Sequence, residues 1–139
     1  MTHPTITRRE WRNVALFALA VMLLTSLPYL AGAAAQTPDR RFGWFLFGLF
    51  DGNSYLAKMR QGATGDWLFH VTYTSEPHDG TLLFTPYLAA GKLAALFVSP
   101  ASPVFTDTLI LVFQLSRLIF GWLLILVTYR FVAAFLVKR

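Results

Sequence analysis

Residues Thr108 to Val137, TLILVFQLSRLIFGWLLILVTYRFVAAFLV, hold only two charges in thirty positions, Arg117 and Arg130. A run this apolar has no polar face to turn to water, so it reads as a membrane-spanning helix. It is too long for a perpendicular crossing: thirty residues at ~1.5 Å each reach about 45 Å, against a hydrocarbon core of ~30 Å. The helix must tilt strongly or protrude. Asp107 suits its N-cap, and Arg130, Lys138 and Arg139 suit its C-terminal end through the helix dipole. If the last ~20 residues are the embedded part, Arg117 falls at the outer interface, level with lipid phosphates. A cation there needs a partner or water. An ion pair with Asp51 or Asp66, snorkelling, and a lipid phosphate all meet that need.

A second apolar run, Val14 to Leu30, follows an Arg-rich flank and reads as the first span, ended by Pro28 and Gly32. A cleaved signal peptide is the rival, since TRREW resembles a twin-arginine region and AGAAAQ offers small-residue cleavage sites. The length of the run favours an uncleaved anchor, because signal h-regions are usually ~7–15 residues long.

Composition agrees with a membrane class. The chain is 55% hydrophobic, 16% aromatic and 14% charged, too little polar surface for 139 residues to close as a soluble globule. It has no cysteine, which excludes disulfides, thiolate nucleophiles and Cys-ligated zinc. The net charge of +5 is topological and does not signal nucleic acid. Arg8, Arg9, Arg12, Arg130, Lys138 and Arg139 crowd the two ends against Glu10 alone. Between the apolar runs, five cations (Arg40, Arg41, Lys58, Arg60, Lys92) meet six acids (Asp39, Asp51, Asp66, Glu76, Asp79, Asp107). Lys and Arg are retained on the inner side, so both termini are expected in the cytoplasm and residues 36–107 on the outer face.

That outer loop is itself rich in apolar residues. Leu82 to Val98 is broken by Pro86, Gly91 and Lys92, and a third span there would put Lys138 and Arg139 outside. It is therefore expected to form an interfacial or re-entrant helix. Arg41 to Phe50, RFGWFLFGLF, suits the headgroup belt in the same way, so interfacial helices are expected near 41–63 and 82–98. The expected fold is all-α: two transmembrane helices, 14–30 and 108–137, joined by a long extracytoplasmic loop that contacts membrane lipids.

The loop opens with Asp51 to Trp67, DGNSYLAKMRQGATGDW. Asp51, Tyr55 and Lys58 follow i, i+4, i+7 and share one helical face, beside an apolar stripe of Tyr55, Leu56 and Met59. Spacing alone allows a plainer account, in which Asp51 caps the helix while Lys58 and Arg60 snorkel. Gly62, Gly65 and Asp66 should stop the helix. Glu76 and His78, near His70 and Asp79, are weak metal-ligand candidates. Their spacing fits no strong motif, and Pro77 and Gly80 indicate a solvated turn. No Gly-rich phosphate loop, HExxH or GxSxG occurs.

The stretches DGNSYLAKMRQGATGDWLF, YTSEPHDG and LLFTPYLAAGKLA, in this order between two spans, resemble the N-terminal part of bacterial GT-C-type glycosyltransferases that use polyprenyl-phosphate sugars. The likeness runs from about Trp11 to the C-terminus and is most specific over Asp51 to Trp67 and Tyr73 to Gly80. It implies that Asp51 is the first-loop acidic residue, which orients or deprotonates the acceptor or helps hold a divalent metal, Mg or Mn. It also implies that Arg117 lies near the lipid phosphate, with Tyr55, Lys58 and Arg60 as further substrate contacts. Members of that superfamily are several-fold longer. The resemblance thus implies a module in the bacterial inner membrane whose site is completed by other segments, and which is inactive alone. The alternative expectation is a small structural or accessory subunit of a larger membrane complex, without catalysis of its own.

Overall fold

The computed structural model describes residues 6–136, and of Leu49 only the backbone. Five helices follow in order: α1 (Arg8–Leu24), α2 (Leu27–Ala34), α3 (Leu49–Ala63), α4 (Thr85–Ala95) and α5 (Phe105–Phe135). No strand occurs among the described residues, only isolated bridges pairing Thr37 with Arg40 and Phe69 with Thr81. The chain divides into two compact units. One comprises Met1–Arg41 and Arg117–Arg139, the other Phe42–Ser116.

The first unit holds α1, α2 and the greater part of α5. Thr7 opens α1 with a reciprocal capping box: its hydroxyl accepts from the Glu10 amide at 3.2 Å, and the Glu10 carboxylate accepts from the Thr7 amide at 2.7 Å. The first apolar run does not stop at Pro28. It breaks at Thr25 and Ser26, whose hydroxyls donate to the Met22 carbonyl at 2.9 and 2.8 Å, and resumes as α2. Pro28 lies in the first turn of α2, where its missing N–H has no carbonyl to serve. Arg8–Ala34 and Phe105–Phe135 are both long and apolar enough to cross a membrane. Gly121 lets Met22 approach α5, and the Trp122 indole donates to the Ala15 carbonyl at 3.0 Å. Trp11 meets Tyr129 edge-on at 6.2 Å. Val137, Lys138 and Arg139, the end of the expected second span and its basic flank, lie outside the described residues.

The second unit is built on α3, α4 and the first turns of α5. Met59, Ala94, Phe105, Leu109 and Val112 form its buried core. Two glycines set the α3–α4 distance: a Cβ on Gly62 would overlap the Leu88 carbonyl, and one on Gly91 the Met59 carbonyl. Helix α5 begins two residues before Asp107, which therefore sits in its first turn and is not its cap, still favourable for the dipole.

The expected interfacial helices are present but shorter. Residues 41–48 are not helical, because Trp44 (φ 62°) and Gly48 (φ 64°) take left-handed backbone that an α-helix cannot contain. Phe45 instead lays its ring on Gly52 and edge-on to Phe113 at 5.2 Å. Leu82 to Phe84 likewise stay outside α4, since Phe84 is left-handed at φ 56°.

Candidate functional site: a lysine held among aromatic rings

Helix α3 presents its expected residues in different settings. Asp51 stands in the first turn, exposed, with its carboxylate folded back over Gly48, which occupies the N-cap. It does not cap the helix. Tyr55 stacks on Tyr87 at 4.9 Å with the rings 2° from parallel, and on Phe113 at 5.9 Å, so it serves the core. Burial, and then the neighbouring Tyr55, push the Tyr87 hydroxyl pKa upward. Arg60 donates to the Thr106 hydroxyl at 2.7 Å and lies over Phe105, tying α3 to α5 within the unit.

Lys58 is the one buried charged side chain among the described residues, 7% exposed. Its ammonium donates to the Ser54 hydroxyl one turn earlier at 2.6 Å. Three rings surround it: Phe84 at 4.3 Å, Tyr55 at 5.4 Å and Phe69 at 5.8 Å from Nζ to centroid. Each ring face attracts the cation by ~0.5–2 kcal/mol, depending on how dry the contact is.

The rings come from separate segments, and local structure delivers each. Gln61 clamps the returning chain, donating to the His70 carbonyl at 2.8 Å and accepting from the His70 amide at 3.1 Å. Phe69 pairs through its backbone with Thr81 at 2.8 and 3.0 Å and meets Phe84 edge-on at 5.0 Å. Phe84 keeps a left-handed backbone that costs a non-glycine residue of order 1–3 kcal/mol, and its ring covers the ammonium. Lys92 fastens the turn after α3, donating to the Gly65 carbonyl at 2.5 Å and lying 4.5 Å over Trp67. A cleft of about 290 Å³ opens beside Lys58, lined also by Ser54, Gln61, Thr72 and Tyr73.

The loop histidine has a different occupation. His78 Nε2 accepts from the Val71 amide at 2.8 Å, which leaves Nδ1 to carry the proton of the neutral ring and donate to the Glu76 carbonyl at 3.0 Å. Both nitrogens hold the loop backbone. Among the described residues no three His, Asp or Glu side chains converge as a metal site.

Arg117 belongs to the first unit. Its guanidinium donates to the Ser26 and Thr25 hydroxyls at 3.0 and 3.3 Å and lies 4.4 Å over the Tyr29 ring. The α1–α2 break thus supplies the cation with two hydroxyl acceptors and a ring face. No protein-family model, curated protein or solved structure matches the chain.

Proposed function

We propose that this protein is the N-terminal membrane module of a GT-C-like glycosyltransferase of the bacterial inner membrane, with both termini cytoplasmic and the second unit on the outer face. Its outer loop contributes Asp51 to a sugar-transfer site that other segments complete. The observation that carries this reading is the state of Asp51. An exposed carboxylate sits on the first turn of a helix packed through Gly62 and Gly91, and it neither caps that helix nor accepts a hydrogen bond among the described residues. Such a carboxylate is free to take a proton from an acceptor hydroxyl. Phe47 and Phe50, 93% and 91% exposed on either side of Gly48, add support, because they would seat the start of α3 against lipid. The donor in this reading is a polyprenyl-phosphate sugar.

The test is Asp51→Asn in native membranes supplied with a polyprenyl-phosphate hexose. Transfer should fall by about 100-fold or more at unchanged protein level, the usual weight of a general base. Unchanged transfer would remove Asp51 from the reaction.

A second reading, an accessory subunit without catalysis, draws on the first unit. Only 11% and 6% of the two spanning windows are buried within the chain, and an apolar groove of about 670 Å³ runs between Phe17 of α1 and Leu124 and Val132 of α5. Purification in mild detergent should then recover the protein at fixed stoichiometry with other membrane chains. Recovery as a free chain counts against it.

A further inference from the structure

We infer that the cleft beside Lys58 is a binding site for a phosphate group. The ammonium is buried yet has no carboxylate within ion-pair reach among the described residues, and its one hydrogen-bond partner is the neutral Ser54 hydroxyl. An ammonium carries three donors, so two N–H groups remain without a described protein acceptor. Ring faces attract the cation but take no hydrogen bond of ordinary strength from it. Buried charges in proteins are paired, because desolvation is otherwise uncompensated. The missing partner is an anion, and the cleft is where one can enter.

The lining identifies the kind of anion. Ser54, whose hydroxyl already meets the ammonium, and two further hydroxyl-bearing residues, Thr72 and Tyr73, line the same cleft as Lys58. A phosphate offers several anionic oxygens in three dimensions and can meet donors from more than one wall, which a planar carboxylate does less well. Phe69 and Phe84 supply apolar surface for whatever the phosphate is attached to. At about 290 Å³ the cleft is near the lower bound for small-molecule pockets, room for a phosphate and a short attached group, not a whole lipid. The left-handed Phe84 gains a reason: its strained backbone holds the ring that closes the cage. For the identity of the donor this inference rests on the transferase reading above; for the binding itself it does not.

Two arms distinguish the sources of the phosphate. The full chain in zwitterionic detergent is titrated with inorganic phosphate and followed by phosphorus NMR. The same protein is reconstituted in phosphatidylcholine vesicles with and without phosphatidic acid as the anionic component and tested for protection of Lys58 from amine acylation. Saturable binding in the first arm identifies a free or soluble phosphate as sufficient; protection only with phosphatidic acid identifies a lipid headgroup. Either supports the site. Lys58→Met, which keeps the apolar stem, should weaken binding at least 10-fold, and Thr72→Val, in an exposed loop where folding is not at stake, several-fold. Absence of saturable binding and protection in both arms, or equal binding by folded Lys58→Met and Thr72→Val, overturns the proposal. Transfer in native membranes separates the two readings: if the intact protein supports none, or if Asp51→Asn leaves it unchanged, the role given to Asp51 fails, while loss of phosphate by Lys58→Met lets the site stand.

Discussion

Gly91 of α4 lies against Met59 of α3 so closely that a methyl group on Gly91 would overlap the Met59 carbonyl, and Gly62 meets Leu88 in the same way from the other helix. Backbone cannot yield as a flexible side chain does, so either substitution must push the helices apart. Gly91→Ala and Gly62→Ala should each destabilise the second unit by about 1–3 kcal/mol or more, despite alanine's better helix propensity. Denaturant unfolding followed by tryptophan fluorescence checks this, with Asn53→Ala on the exposed face of α3 as a near-neutral control. Equal stability of the three variants would show that the crossing is looser than described.

Arg117 should couple to the hydroxyls of the α1–α2 break. Its bonds to Ser26 at 3.0 Å and Thr25 at 3.3 Å make the three residues one network, so Arg117→Met and Ser26→Ala should be non-additive by about 0.5–3 kcal/mol in a double-mutant cycle. Additive losses would instead favour an Arg117 that spends its charge on lipid phosphate.

The two long apolar helices were legible because each is an unbroken or nearly unbroken apolar run long enough to cross a membrane. The break between α1 and α2 was not, because Pro28 reads as a stop unless the chain has already ended one helix and begun another. Thr25 and Ser26 are polar punctuation before the proline, and both meet Arg117, 92 and 91 residues away in sequence. The helical spacing of Asp51, Tyr55 and Lys58 was legible too. Their separate fates were not, since Tyr55 finds its stack on Tyr87 and Phe113, and Lys58 its cage on Phe69 and Phe84, all supplied by later segments. The Gln61 clamp and the Phe69–Thr81 bridge carry Phe69 and Phe84 to Lys58, whereas Tyr87 comes with the close α3–α4 packing.

Alkaline pH should weaken the second unit through Tyr87. Burial, and then Tyr55, hold its hydroxyl pKa above the ordinary value of about 10. Between the ordinary and the raised value the folded protein keeps a proton that the unfolded chain has released, so stability is fully present below about pH 10 and falls as pH rises through that window. Tyr87→Phe should flatten this part of the profile while keeping the stack on Tyr55. A profile identical to wild type would assign the alkaline loss to other groups.

The orientation of the second unit follows from charge and can be checked without any assay of function. Arg8, Arg9 and Arg12 lie in the first turns of Arg8–Ala34 and Arg130 in the last turns of Phe105–Phe135, the terminal ends of the two apolar helices, whereas Thr72 to Gly80 carries Glu76 and Asp79 and no Lys or Arg. Lysine and arginine near span ends set orientation far more strongly than acids do, so the terminal sides should be retained in the cytoplasm. Periplasm-active and cytoplasm-active reporters fused after Arg139 and inserted between Thr72 and Gly80 should then report opposite sides. Replacing Arg8, Arg9 and Arg12 together by Gln should scramble that pattern, because the first span usually dominates the choice. Cytoplasmic signals from both positions in the unaltered protein would place Asp51 and the Lys58 cleft in the cytoplasm and overturn the orientation on which the proposed function rests.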